Sequence, residues 1–539
     1  AKSPEKSPAK SSAEVPSGFV GRRQRLLGRV GVIRPDQTAA QTAFAAAASA
    51  VTRVSDRPAA GADRPAIPDS DPAGSAMSAE LSEVVAGLKL RIARQSDVYP
   101  LAPSVLLRHM AQSFDQTYDQ AAHSESLAMA EVWGSPPNRG LLNHFFLGDY
   151  SKKMISGAGL PISTLQRVGI VGAGLMGLAI AKNCLQRKIE VVLIDSDPNR
   201  LEEASRALAD LNLPAAGGPI AETSQDFSGL AGTDLVIESV VENFRIKSEV
   251  LQQIEQVVGT DKIIASNTSA IPITRLATAL KNPQRFCGIH FCHPQLMALV
   301  ELIRGTRTGD AAMGIGLSWV RQLGKTPVLL KDGPGFVVNR LLAAMLNQAI
   351  DLLWEGYAVE EIDQAMRDFG FLGGPFEIID TIGVETCMYA GHEMWKAGVT
   401  CVSLSPLLPK LAKLGRMGRK TGLGVYRYSD RTARGTVDPD FAAIVASYRR
   451  AQPDPDKHDP VQNGSAPSLG ESPIANKILL AMVAEAENIL REQIVNDIRD
   501  IELCVIHGLG FPPHQGGLLF WSDQMGLSQS LHSAGRFYQ

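Results

Sequence analysis

Two residues in the middle of the chain suit the removal of a proton from an alcohol. His290 closes a short β-like run, and Glu301 lies in the next one, Leu299 to Ile303. An imidazole near a carboxylate is the arrangement a dehydrogenase needs. As hydride leaves a secondary alcohol, a base titrating near the working pH takes the hydroxyl proton, and the carboxylate orients the ring and stabilises the imidazolium. His293, in the same His290-Phe-Cys-His-Pro294 segment, competes for the role, and a lone histidine is more often structural than catalytic.

A second set of residues suits a dinucleotide. Gly172-Ala-Gly-Leu-Met-Gly177 follows a β-like run, opens a helical one, and is followed by Asp195 at the end of the next β-like run. Gly172 and Gly174 permit a tight turn and the approach of a pyrophosphate to the backbone, and Gly177 completes the pattern at a helix N-terminus that faces the charge. A carboxylate at Asp195 accepts both ribose hydroxyls and repels a 2′-phosphate, so the expected cofactor is NAD rather than NADP.

Further candidates follow later β-like runs. Glu242 and Lys247 leave one such run and enter a helix at the sheet edge where nucleotides bind, which makes them cofactor-side candidates; the competing account is a helix N-terminal charge and a solvated face. In Ser266-Asn-Thr-Ser269, Ser266 is positioned to meet polar atoms of a ligand, or equally to cap the next helix. Asn339 follows Asp332-Gly-Pro-Gly-Phe, where the β-rich region gives way to helices, and so belongs at an interdomain cleft that would close on a substrate. The cysteines form no C-x-x-C and no zinc-like pairing, so no metal site is expected.

The elements that must hold these residues alternate from Gln166 onward. Runs at Arg167 to Val171, Glu190 to Ile194, Asp234 to Ser239, Lys262 to Ser266, Arg285 to Phe291, Leu299 to Ile303 and Pro327 to Leu330 read as strands with helices between most of them. The spacing predicts an α/β Rossmann-type domain with a largely parallel sheet over 166–331. A helical domain then covers 332–428, a hydrophilic linker 429–472, and a second, shorter helical block 473–539. Asn339-Arg-Leu-Leu, Ile362-Asp and Gly370-Phe371 are echoed by Asn476-Lys-Ile-Leu, Ile501-Glu and Gly510-Phe511, which reads as one helical unit used twice, giving two related all-α C-terminal domains. Upstream, 78–165 has helical spacing, as at Leu81, Val84, Val85, Leu88 and Ile92. Residues 1–77 are rich in Pro, Ala and Ser and read as a disordered tail.

Composition narrows the function further. Lys and Arg number 53 against 56 Asp and Glu, a net charge of −3, which argues against a nucleic-acid or other polyanion binder. No apolar run reaches the ~18 residues of a membrane span. With 6 cysteines in 539 residues and no disulfide framework, the expected compartment is reducing and cytoplasmic.

Taken together, VGIVGAGLMG, VIESVVENFRIK, SNTSAIPI, GIHFCHP, LVELIRG, DGPGFVVNRLL, GGPFEIIDTIG, GRKTGLGVYRY and GLGFPPHQGG resemble the L-3-hydroxyacyl-CoA dehydrogenase family over about Gln166 to Gly526. The layout is similar to the dehydrogenase part of the multifunctional alpha subunit of the fatty-acid β-oxidation complex. The resemblance implies NAD-dependent oxidation of an L-3-hydroxyacyl-CoA to the 3-oxoacyl-CoA. It implies His290 as general base, Glu301 as its partner, Ser266 and Asn339 as substrate contacts, and Asp195, Glu242 and Lys247 on the cofactor side. It leaves a thiolase subunit or a second copy of the chain open as partner. Tyr99 to Pro103, Ser124 to Ala128 and Gly140 to Lys153 resemble the end of a crotonase-like hydratase domain and its linker helix. The body of that domain is missing from 1–98, so hydratase activity is not expected. Two departures stand out: Cys292 and His293 replace the family's Phe and Asn, and the loop before Glu301 is shorter. The competing readings are a non-catalytic acyl-CoA or NAD binding module and another β-hydroxyacid dehydrogenase, a group that works with a lysine instead.

Overall fold

The computed structural model describes residues 101–113, 116–211, 221–430, 435–449 and 472–526. The chain divides into two compact units, residues 1–90 with 107–121, and 91–106 with 122–539. Of the first, only parts of the helices Leu101–Ser113 (α1) and Tyr118–Val132 (α2) are described. The tail expected over 1–77 and the helical face expected from Leu81 to Ile92 lie outside the described residues. All later elements of the chain belong to the second unit.

Pro136–Gly157 (α3) begins with Ser135 as N-cap, whose hydroxyl accepts from Asn138 N–H, and with proline in its first turn, both strong start signals. It docks through Gly140 and Asn143. A Cβ on Gly140 would fall 2.0 Å from the His514 carbonyl oxygen, and Asn143 Nδ2 donates to the Gly516 carbonyl at 2.7 Å.

The sheet comprises Arg167–Val171 (β1), Glu190–Ile194 (β2), Ala221–Ser224 (β3), Leu235–Glu238 (β4), Ile263–Ser266 (β5), Phe286–Phe291 (β6), Leu299–Arg304 (β7) and Thr326–Lys331 (β8). Their order is β3-β2-β1-β4-β5-β6-β7-β8. Every pairing is parallel except β6 with β7. Helices Leu175–Gln186 (α4), Pro198–Ala209 (α5), Phe244–Val257 (α6), Ile273–Leu276 (α7) and Asp310–Gln322 (α8) make the crossovers. β4, β5 and β6 are buried throughout, as expected of strands covered on both faces. The strand order reverses between β1 and β4, which opens a crevice at the carboxyl ends where ligands of such sheets bind. β3 escapes the sequence pattern because Ala-Glu-Thr-Ser is an exposed edge with no apolar face.

The helical part contains Val338–Glu355 (α9), Val359–Phe369 (α10), Pro375–Ile382 (α11), Val384–Lys396 (α12) and Leu407–Lys413 (α13). A hairpin of Tyr426–Arg427 (β9) and Thr436–Val437 (β10) comes next, then Pro439–Arg449 (α14), Pro473–Arg491 (α15), Ile498–Leu509 (α16) and Leu518–Gln524 (α17). The expected linker over 429–472 is thereby corrected: its described part holds β10 and α14. Phe441 and Val445 of α14 are buried, and Tyr448 meets the Trp354 ring of α9 at 5.8 Å. Polar flanks hid this apolar spacing. No helix among the described residues is long and apolar enough to cross a membrane.

α15 packs on α9, and an ion cluster joins them. The fully buried Arg340 guanidinium of α9 pairs with buried Glu485 at 2.5 Å and with Glu492 at the end of α15. Lys477, near the start of α15, pairs with Glu355 at the end of α9 at 2.6 Å, with both side chains exposed. Removing one partner of a buried pair strands the other charge, a cost of roughly 3–5 kcal/mol, whereas an exposed pair contributes about 0–1 kcal/mol. Arg340→Ala should therefore lower the urea-unfolding midpoint far more than Lys477→Ala. Equal, small shifts would contradict this account of the α9–α15 joint.

Candidate functional site

The turn between β1 and α4 depends on its glycines in three different ways. Gly172 has φ +111, and a Cβ there would lie 2.5 Å from the Ser239 carbonyl oxygen. A Cβ on Gly177 would lie 1.8 Å from the Gly172 carbonyl oxygen, so helix and turn touch backbone to backbone. A Cβ on Gly174 would meet no protein atom within 4 Å, which leaves a cradle beside the backbone. Gly174 is also the N-cap of α4 and supplies no side-chain cap, so the first turn of the helix presents its N–H groups to an anion. Asp195, just past β2, is nearly buried; one carboxylate oxygen accepts Ala173 N–H at 2.7 Å and the other accepts Asp197 N–H at 2.9 Å. Each oxygen keeps a second lone pair for a hydroxyl. An adenosine diphosphate moiety fits this turn.

Below the next strand end lies a buried charge network. Glu238 closes β4 and is fully buried. It accepts from Lys247 Nζ at 2.9 and 3.1 Å, from the Ser266 hydroxyl, and from Val240 N–H at 3.2 Å. Lys247 Nζ reaches Glu242 at 3.3 Å as well. Glu242 accepts from the Thr268 hydroxyl at 2.6 Å, Ser269 N–H at 2.8 Å and Ala270 N–H at 2.9 Å. Burial alone would push the Lys247 ammonium down, but Glu238 and Glu242 outweigh it and hold it above its ordinary value. Burial opposes ionisation of Glu242 too, and Lys247 with the Thr268 hydroxyl and two amides outweighs it, keeping the carboxyl below the usual range.

The structure places two of the expected site residues beneath the cleft rather than on its lining. Ser266 is fully buried, donates to Glu238, and accepts Thr268 N–H at 3.1 Å. Lys247 is sealed beneath the sheet edge rather than presented to a nucleotide. The residue that lines the cleft is Ser269, three positions on, past the strand end. Both serines were in view in the sequence. Only the buried partner Glu238, distant in the chain, decides which one turns inward.

The antiparallel β6–β7 pair sets His290 directly opposite Glu301. His290 Nδ1 and Glu301 Oε2 are 2.6 Å apart, with the carboxylate fully buried. The other oxygen, Oε1, accepts Val337 N–H at 2.9 Å and Val338 N–H at 3.1 Å, the start of α9. Phe336, buried and at φ +50, lays its ring 5.7 Å from the imidazole. A left-handed backbone costs a bulky residue about 1–3 kcal/mol, which the surrounding packing sustains. Asn339 Nδ2 donates to the Ser269 carbonyl at 2.7 Å.

The shorter loop before Glu301 thus leaves the ladder intact. His293 does not displace His290: its Nδ1 accepts Leu296 N–H at 3.3 Å within the loop. Burial, reinforced by the charge of Lys325, pushes this imidazole below its ordinary value. Lys325 Nζ pins the same loop through the Pro294 carbonyl at 2.5 Å and the Met297 carbonyl at 2.8 Å. His290, Ser269 and Asn339 meet Met176 and Tyr389 in one cleft of about 1830 Å³ that runs from the glycine turn to Lys410 and Lys413 of α13. It exceeds the ~300–1,000 Å³ of a small-ligand pocket and has room for an extended ligand beside a dinucleotide.

Residues 167–333 match the family model described as 3-hydroxyacyl-CoA dehydrogenase, NAD binding domain. Residues 335–428 match that described as 3-hydroxyacyl-CoA dehydrogenase, C-terminal domain. Among solved structures, the chain is 37% identical to (S)-3-hydroxybutyryl-CoA dehydrogenase from Ralstonia eutropha, covering 50% of this chain and 100% of that one, with a TM-score of 0.46. It is 23% identical to 3-hydroxybutyryl-CoA dehydrogenase from Escherichia coli K12, covering 70% of this chain and 97% of that one, with a TM-score of 0.55 that reflects a shared fold. With both domains of one enzyme matched in succession, the first of them NAD-binding, the chain belongs to the 3-hydroxyacyl-CoA dehydrogenase family of oxidoreductases.

Proposed function

We propose that the chain oxidises L-3-hydroxyacyl-CoA thioesters to 3-oxoacyl-CoA in fatty-acid β-oxidation, with His290 as general base. The observation that carries the reading is the 2.6 Å contact between His290 Nδ1 and Glu301 on the floor of the cleft. A carboxylate acceptor at Nδ1 fixes the proton there and leaves the Nε2 lone pair for the substrate hydroxyl. Bound NAD⁺ supplies the hydride acceptor for C3. His290 takes the hydroxyl proton as the C3–O bond becomes a carbonyl, and Glu301 stabilises the imidazolium. Ser269 and Asn339, joined by their own hydrogen bond, hold the oxygen end of the substrate. In the reverse direction the imidazolium returns the proton.

In this reading Gly174 and Asp195 hold the nucleotide directly, while Gly172 and Gly177 let the turn and α4 pack closely enough to form its cradle. Glu242 contributes by ordering the 268–270 loop, and Lys247 by neutralising Glu238 and Glu242 from below.

The second helical block reads as a copy of the first. Asp363 accepts Phe376 N–H at 2.9 Å and crowds Gly374, while Glu502 accepts Phe520 N–H at 2.7 Å and crowds Gly517. Arg340 with Glu492 and Lys477 with Glu355 are reciprocal contacts of the kind an isologous interface makes. These features favour a chain whose second helical domain covers the first from within, rather than a homodimer on that face.

In an assay of NADH oxidation with acetoacetyl-CoA, His290→Ala should lose about 10²–10⁴-fold in kcat, while His293→Ala retains turnover. Binding of NADH by the wild-type chain without any turnover would instead support a binding module. Gly174→Ala has space in the free protein and a φ of −66 that alanine adopts, so its thermal unfolding should match the wild type. Its affinity for NADH, read by fluorescence titration, should fall by at least about tenfold, or roughly 1.4 kcal/mol. Unchanged affinity would remove the pyrophosphate from this turn.

A further inference from the structure

Three unlike donor atoms meet where β6 ends. Cys292 follows β6 directly, two positions after His290, and Glu301 stands opposite His290 on β7. A ring nitrogen of His290, Sγ of Cys292 and a carboxylate oxygen of Glu301 all lie within 4.8 Å of one another, the one such group of three among the described residues. Proton transfer from an alcohol uses the imidazole and the carboxylate and has no use for the thiol. The thiol changes what the group can hold.

From this juxtaposition we propose that His290, Cys292 and Glu301 form a site for a thiophilic divalent cation, zinc by its donor set, and that occupancy switches the dehydrogenase off. Nitrogen, sulfur and carboxylate oxygen together suit zinc and disfavour magnesium and calcium, which take oxygen shells. Zinc bonds of about 2.0–2.3 Å place tetrahedral donors roughly 3.3–3.8 Å apart, so the His290–Glu301 contact, 2.6 Å long, opens to admit the ion while the Cys292 sulfur, within 4.8 Å of both, closes on it. Glu301 is already oriented for this: Val337 and Val338 N–H groups hold Oε1 and leave Oε2 toward the ring. His290 and Cys292 both line the cleft, which gives the ion an entry path and leaves a fourth position for water. Binding forms the Zn–S and Zn–N bonds as the thiol proton goes to solvent and the imidazole proton passes from Nδ1 to Nε2, and no redox change is involved. The ion takes a nitrogen of the base and the oxygen that steadies it, so proton transfer stops.

The inhibition rests on His290 being the base; the binding does not. The test uses the full chain in metal-free buffer. Zinc is titrated against a chromophoric chelator, cobalt(II) is followed by its thiolate charge-transfer absorbance without nucleotide present, and NADH oxidation with acetoacetyl-CoA is measured at each zinc level. The wild type should bind a single ion per chain, show the thiolate band, and lose turnover reversibly on addition of EDTA. Cys292→Ser and Cys292→Ala should abolish the band and weaken zinc by at least about tenfold, each variant's zinc sensitivity being judged against its own metal-free rate. His293→Ala should keep both the band and the affinity. A chain that is inactive even without metal, yet gives the band, would overturn the base assignment while supporting the site. No saturable binding by the wild type, or equal binding and inhibition in the Cys292 variants with circular dichroism unchanged, would overturn the site.

Discussion

The two-sided attachment of one buried carboxylate governs this molecule. Glu301 meets the His290 ring with one oxygen and the first amides of α9 with the other. The sheet domain and the helical domain are therefore registered to each other through the residue that sets the imidazole. A carboxylate with no exposed surface is tolerable only when its oxygens are hydrogen-bonded, and here the ring and the helix start bond one oxygen each. The antiparallel β6–β7 pair is what makes the contact direct: in a parallel pair, the partner strand's residue would arrive through a crossover, not through a short loop. Asp332 adds a parallel tie, accepting Ile273 and Thr274 N–H groups at 2.9 and 2.7 Å.

A second buried system braces the nucleotide side. Glu238, Lys247 and Glu242 join the ends of β4, α6 and the loop after β5 into one unit. The signs of its shifts say when it holds. Glu242 lies below its unfolded value, so its contribution is full above the ordinary carboxylate range and is lost as pH falls through the depressed native value. Lys247 lies above its unfolded value, so its contribution is full below the ordinary lysine range and is lost as pH rises through the raised native value. Between those limits the loop that carries Ser269 stays in place beside the glycine turn. The same loop then receives Asn339 from α9, so the brace also reaches the cleft.

Much of this was legible in local pattern. β1, the Gly172 to Gly177 turn and α4 are signalled by adjacent residues, and the pairing of His290 with Glu301 follows from two short strands joined by a short loop. What stayed hidden depends on distant partners. Ser266 and Ser269 are equivalent until Glu238 claims the first. Lys247 looks like a solvated helix residue until two carboxylates from neighbouring loops enclose it. The second bond of Glu301, to Val337 and Val338, crosses from sheet to helix and leaves no trace in either local segment. β3 lacks the apolar face that marks a strand, and α14 has its apolar stripe embedded among Asp, Pro and Gly.

The central claim is that Glu301 makes His290 a base, and Glu301→Gln tests it most directly. The amide has nearly the same shape but only one accepting oxygen, so it cannot serve both the imidazole and the α9 amides. Steady-state kinetics of L-3-hydroxybutyryl-CoA oxidation should show kcat reduced by about 10²–10⁴-fold, with NADH affinity retained. A variant whose kcat stays within about tenfold of the wild type would contradict the account, because the carboxylate would then serve only to anchor α9.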